Sequence, residues 1–292
     1  MLKNISSVAD QSASEMIKTN LISFFDLGFL NAGGYINIDF GQLNASGTDI
    51  SLLRKIIDKR FSDKEVWQGA ENWLYESDIT SGTPMVTAVT INGTPVVDPE
   101  IDYTNGRVLL PTGATNVRAR YSYKWVTFTS SQDSLSPLRI SDYSSKSKNQ
   151  TPAEVILPLP FVSFHVPPIS KSKINGLNRN YDSKTITHNI IVEVFGQSPS
   201  ETQRISDIIA NQSGHSMPMY CINSAGLADD LPLNFDGTLN SGKNHLQLFE
   251  DYPWTYMKFK EITSRNGDYI NTKVHKVILK MTTETILCGS GC

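Results

Sequence analysis

A change of period near residue 85 constrains this chain more than any other feature. In VRARYSYKWVTF, Val117, Ala119, Tyr121, Tyr123, Trp125 and Thr127 alternate with Arg118, Arg120, Ser122 and Lys124. Successive side chains of a strand point to opposite faces, so a period of two predicts one buried face and one wet, basic face. MVTAVTINGTPVV and GRVLLP read as further strands. Asn92-Gly93 and Asn105-Gly106 tolerate the positive φ of a type I′ hairpin turn. Residues 76–131 are therefore expected to form an antiparallel β module.

The segments on either side follow other rules. Residues 1–13 are small and polar, and read as a flexible arm. From Ser14, the residues Met16, Ile17, Leu21, Phe24 and Phe25 recur at helical spacing. Gly33 and Gly34 then supply a C-terminal stop. A second helix is expected in GTDISLLRKIIDKRF, capped by Thr48 or Asp49, with Ile50, Leu53 and Ile57 on its inner face. The N-terminal helical region thus spans 14–75. It ends in EVWQGAENWLYES, whose Trp67, Trp73 and Tyr75 suit packing beneath a sheet better than a partner-facing patch.

Residues 132–182 read as a loop-rich strap. SSKSKNQTP is expected to be flexible. ILPLPFVSFHVPPIS carries Pro158, Pro160, Pro167 and Pro168, with Pro152 just upstream. Proline cannot donate to a ladder, so this stretch is expected to run extended without being a central strand. Residues 183–292 return to regular structure. KTITHNIIVEVFG is a strand whose run Ile190 to Phe195 suits burial on both faces. Ser198, Pro199 and Glu201 make a capping box for a helix that buries Ile205, Ile208 and Ile209 and stops at Gly214. MPMYCIN is a short strand, and a hairpin across RNGD closes the chain. The order strand, helix, strands predicts an α+β domain with one sheet covered by one helix, and the whole chain is α+β.

Bulk properties exclude several classes. No run approaches the 18 apolar residues of a membrane span. The net charge of -3 argues against affinity that rests on phosphate neutralisation. The first residues lack the apolar core of a secretory signal, so the protein is expected to be made and used without export. Cys221, Cys288 and Cys292 are too few for a disulfide framework and are expected to be reduced thiols. The sequence carries no GxxxxGK[ST], no GxGxxG after a strand, no GxSxG elbow and no HExxH. His188 and His275 sit in strands as paired or surface imidazoles. Asp229, Asp230 and Asp236 lack the spacing of a calcium loop. No catalytic residue, cofactor or metal is expected, and the chain is not read as an enzyme.

Two stretches resemble a known family. DYTNGRVLLPTGATNVRARYSY is similar to small β modules of tailed-bacteriophage virion proteins. HNIIVEVFGQSPSETQRISDIIANQ onward looks like the α+β subunits of head–tail connection and tail-terminator rings. The resemblance implies a virion structural protein of the neck of a large contractile-tailed phage. It implies a homo-oligomeric ring, sixfold or twelvefold, that joins portal to tail tube or terminates the tail, and partners among other neck, portal or tail proteins. The location implied is the head–tail junction of a virion assembled in the host cytoplasm. Arg118, Arg120 and Lys124 are the candidates for a DNA-channel or partner-facing row. Trp67, Trp73, Pro158, Pro160, Phe161, Pro167 and Pro168 are the candidates for assembly contacts. The alternative reading is a baseplate or fibre-associated surface-binding module.

Overall fold

A computed structural model describes residues 13–75, 87–130, 159–167, 171–175, 183–220, 231–234, 238–240, 243–271 and 274–287. The expectations placed on the N-terminal arm, SSKSKNQTP, Pro158, Pro168, the acidic loop and the three cysteines fall outside these residues. The fold is α+β and mainly antiparallel. It divides into two compact units, 27–125 with 226–247, and 1–26 with 126–225 and 248–292. They are called here the sandwich unit and the sheet unit.

Helix α1, Ala13–Asn31, forms where the apolar spacing predicts it. It stops as its glycines dictate. Gly33 adopts φ +84°, its N–H reaches the Leu30 carbonyl, and the Gly34 N–H reaches the Phe29 carbonyl at 2.7 Å. This is a Schellman cap, which satisfies carbonyls left over at the helix end.

The sandwich unit contains two four-stranded sheets. The first orders β1 (Tyr35–Ile38), β8 (Val117–Lys124), β4 (Ala88–Ile91) and β5 (Thr94–Pro95). The second orders β2 (Arg54–Ile56), β3 (Glu65–Gln68), β7 (Arg107–Leu110) and β6 (Glu100–Asp102). They share one core: Ile38, Val89, Val117, Ala119 and Tyr121 from the first sheet meet Ile101, Val108 and Leu110 from the second, with Leu53 and Trp73. Asn92-Gly93 is the expected type I′ turn, with φ of 52° and 82°. At Asn105-Gly106 only the glycine has positive φ, so the turn from β6 to β7 is of another kind. Asp102 holds it by accepting from the backbone N–H of Asn105 at 3.1 Å and from its side-chain amide at 2.7 Å.

The second expected helix does not form. Residues 47–61 contain turns and the short strand β2 instead. Asp49 turns its carboxylate back onto Ser51 (2.7 Å to the hydroxyl) and onto Arg118. Backbone bonds from Leu53 to the Val117 carbonyl and from Ala119 to the Ser51 carbonyl then carry the chain along β8, beyond the end of β1. A side chain that bonds its own backbone competes with the helix, and a free ladder position outweighs weak helix propensity. Leu53 is buried as expected, but Ile57 is 96% exposed. The helical region of the N-terminal quarter therefore ends at Asn31.

The predicted strand from Val117 to Thr127 is also broken. β8 ends at Lys124, and β9 (Thr127–Ser130) belongs to the other unit. Val126 and Phe128 are buried while Thr127 is not, so the burial phase inverts across Trp125 and Val126.

The sheet unit is a seven-stranded sheet. Its main order is β13 (Ser216–Tyr220), β14 (Pro253–Asn271), β15 (Val274–Leu287), β12 (Ser183–Gly196), β10 (Phe161–His165) and β9, with β11 (Lys171–Asn175) also on β12. All pairs are antiparallel except β9 with β10. β10 lies between β9 and β12, contrary to the expectation of a strap without a central strand. The reason is local: Pro160 and Pro167 bracket six non-proline residues, five of which form β10, and the Pro160 carbonyl still accepts from Thr127 N–H. The closing hairpin forms, but β14 runs through RNGD to Asn271, opposite Val274. The Asn266-Gly267 step marks a shift of register between Arg265 and Asp268 and not the tip.

Register assigns the two faces. Ile190, Val192 and Val194 of β12 stand beside Met281, Leu279 and Val277 of β15, and all are buried. This dry face is covered by α1, whose Phe25 ring stacks on Phe164 (5.4 Å) and Phe128 (6.1 Å). Helix α2, Pro199–Ala210, also packs on β12, β14 and β15, through Thr202, Ile205, Ser206 and Ile209. Its start is as predicted: Ser198 accepts from Glu201 N–H and Pro199 opens the helix. The sheet therefore has two helical covers, one of them from the N-terminus. The short α3, His245–Asp251, precedes β14.

Candidate interaction surfaces

Asn20 shows how tightly α1 is tied to the sheet unit. Its fully buried amide accepts from Tyr220 N–H at 2.8 Å and donates to the Tyr220 carbonyl at 3.0 Å. The side chain thus replaces a strand neighbour at the outer edge of β13. Pro218, with no N–H, stands on that same strand.

The basic row of β8 is not an open cationic face. Arg118 is ion-paired to Asp49 at 2.8 Å. Arg120 lies 5.8 Å from the centre of the Phe40 ring, an arrangement that favours a cation over an aromatic face. Lys124 is exposed. Ser122 on this face is buried and donates to the Asn37 side chain at 2.6 Å. Burial opposes the charge on Asp49, but bonds from Ser51 and Arg118 outweigh it and hold the carboxyl below its ordinary value. Two strongly perturbed carboxylates lie on the second sheet and its loops. Arg60 holds Asp58 at about 2, and the Gly113 N–H with Lys55 holds Glu65 at about 2. Each already has a cationic partner, at 2.6 Å and 2.5 Å.

Three of the five candidate assembly contacts among the described residues are interior. Trp73 is buried, stacked 5.1 Å from Tyr121, with Gly69 and the Asn105-Gly106 turn against its indole. Trp67 is half-buried against the same core. Phe161 stacks on Phe195 at 4.5 Å and is buried, as is Pro160. Of this set Pro167 alone, among the described residues, shares partial exposure with Trp67. Trp73, Pro160 and Phe161 therefore present no free surface, because the core claims large apolar side chains first.

The second face of the sheet unit holds what the pattern of residue types did not single out. Beside Phe195, Lys276 and Glu193 form an ion pair of 2.5 Å, both nearly buried, with the ammonium 5.4 Å from the Phe195 ring. Farther along this face the strands are wet: Lys258, Lys260 and Lys280 are exposed, and Lys260 pairs with Glu284 at 2.5 Å. Tyr256 and Ile286 stand there too, 68% and 50% exposed. Met257 pairs with Thr285, so one step on Tyr256 faces Ile286 across β14 and β15, and Pro218 flanks Tyr256 on β13. The signal was available: in YMKFK the tyrosine shares the phase of the lysines, not that of Met257 and Phe259.

Among the described residues no group of three or more His, Cys, Asp or Glu side chains could hold a metal ion. Among the described residues no helix is long and apolar enough to cross a membrane. Neither a protein-family model nor a curated protein matches this chain.

Proposed function

We propose that the protein is a virion structural subunit of a tailed-phage neck, which forms a homo-oligomeric ring at the junction of portal and tail tube. The carrying observation is the open face of the sheet unit, where Tyr256 and Ile286 stand side by side among lysines. An apolar pair fixed on two central strands and rimmed by charge is the anatomy of a contact patch. A sheet covered by helices on one face, and exposed over the part of the other that carries Tyr256 and Ile286, also makes a rigid wall element. Ring closure requires each copy to show complementary patches to two neighbours, and this open face supplies one of them. In this reading Lys124 is the exposed member of the β8 row and the first candidate for contact with packaged DNA, while Arg118 and Arg120 order the module itself. The ring joins other neck, portal or tail proteins.

Native mass spectrometry and negative-stain electron microscopy of the full chain, alone and with portal and tail-tube proteins, test the reading. A closed ring, or a ring that appears on adding a neck partner, is expected. A monodisperse monomer that binds none of them overturns it.

A further inference from the structure

The open face of the sheet unit carries uncompensated positive charge. Lys260 is paired with Glu284, whereas no ion pair among the described residues neutralises Lys258 or Lys280. Lys258 shares the phase of Tyr256 on β14, and Lys280 shares that of Ile286 on β15. A surface that docks here must present an apolar side chain to Tyr256 and Ile286, with carboxylates around it.

The sandwich unit has such a surface. Three of its large apolar residues are more than half exposed among the described residues: Leu43 at 61%, Ile57 at 96% and Val97 at 84%. Leu43 lies opposite Asp49, which Arg118 already pairs. Ile57 stands by Lys59 and Arg60, and its neighbour Asp58 is paired too. Of the three, Val97 is the one flanked by unpaired acids. Asp98 follows it and Glu100 opens β6; the Glu100 carboxylate is paired with Lys64, which brings Asp63 to the same corner. Glu100 first, and Asp63 with it, hold the Lys64 ammonium above its ordinary value. Asp63 and Asp98 are exposed and form no ion pair among the described residues.

The loop that holds Val97 is fixed. The Val96 N–H donates to the Val89 carbonyl at 2.9 Å, and the Val96 side chain packs against the core. Asp98 takes φ of 45°, and Pro95 and Pro99 restrict the backbone on either side. A side chain held outward by its backbone loses little freedom when it docks.

We propose that Val97 and its carboxylates dock onto the Tyr256–Ile286 face of a second copy of this chain. The inference rests on the ring reading above and supplies the second patch that ring closure requires. The two patches differ, so the contact is heterologous and repeats from copy to copy. It sets Asp63 and Asp98 against Lys258 and Lys280 around an apolar centre.

Two disabled variants of the full chain test this under the conditions in which the wild-type chain assembles, alone or with portal and tail-tube proteins. Tyr256→Lys with Ile286→Lys removes one patch, and Val97→Lys with Asp63→Lys removes the other. Each variant by itself should sediment as a monomer. An equimolar mixture at high protein concentration should give a heterodimer, because one intact patch of each kind remains. A ring that persists in the Val97→Lys, Asp63→Lys variant overturns the docking and leaves the ring reading standing. Two monomeric variants that do not pair when mixed overturn it as well. A wild-type chain that stays monomeric in every mixture overturns both. Should a variant fail to fold, hydrogen exchange of the wild-type chain decides. Protection gained at Val97 and Asp98 on assembly supports the docking, and its absence there overturns it.

Discussion

Gly106 shows how much one position can carry. It needs φ of 60°, and a methyl group there would sit 1.9 Å from the Glu71 carbonyl. Gly106→Ala is therefore expected to destabilise the sandwich unit by ~3 kcal/mol, combining backbone strain with overpacking. Thermal denaturation followed by near-UV dichroism, which reports the Trp73–Tyr121 stack, measures the loss. The perturbed carboxylates make a prediction with a definite sign. Asp58 and Glu65 are held at about 2, below ordinary values of 3.8 and 4.5. A depressed carboxylate stabilises the folded state fully above its unfolded pKa and loses that effect as the pH falls through its folded pKa. Carboxyl-carbon NMR should find both groups still ionised at pH 3. The Asp58→Asn unit should show a shallower loss of stability between about pH 4 and pH 2. The cationic partners Lys55 and Arg60 are exposed, so high salt should weaken the effect.

At the scale of elements, caps and edges decide where structure stops. Ser198→Ala removes the hydroxyl that accepts from Glu201 N–H, and the sheet unit should lose about 1 kcal/mol in denaturant titration. Asn20→Leu has a larger effect although the two side chains share the same branching. It leaves the N–H and carbonyl of Tyr220 buried and unpaired, for a loss of ~3 kcal/mol. It also uncovers the edge of β13, so aggregation measured by light scattering should increase. Caps were legible in sequence because they depend on residues within one turn: Ser198–Pro199–Glu201 and Gly33–Gly34 behave as their chemistry requires. Strand edges were not legible, because the residue that closes β13 lies 200 positions away.

For the whole molecule, the open sheet face gives the sharpest test of assembly. Tyr256→Lys with Ile286→Lys changes two exposed side chains, so the melting temperature of the monomer should hold to within what surface substitutions allow, about 0.5 kcal/mol. If this face joins subunits, sedimentation should show the ring replaced by monomer. A ring that persists in the double variant moves the contact elsewhere. The dry face makes the complementary case, since α1 and α2 both cover it and truncating α1 exposes Phe128, Phe164 and Phe259 together.

The sequence by itself determined the class of the fold, the two capped helices and the strands around Asn92-Gly93 and Ile190 to Phe195. In each of these the periodicity and turn chemistry act over a few residues. It also set Tyr256 in the phase of the lysines, where periodicity read position by position places it outside. Tertiary structure alone decided that residues 47–61 would abandon a helical pattern, because a vacant ladder position on β8 competes for Ser51 and Leu53. It decided that Phe161 to His165 would be a central strand, because its two neighbours come from residues 127–130 and 183–196. It alone placed His188 opposite Thr283, with the imidazole fully buried. Burial and charge pairing depend on which distant segments meet, and local spacing carries no record of that.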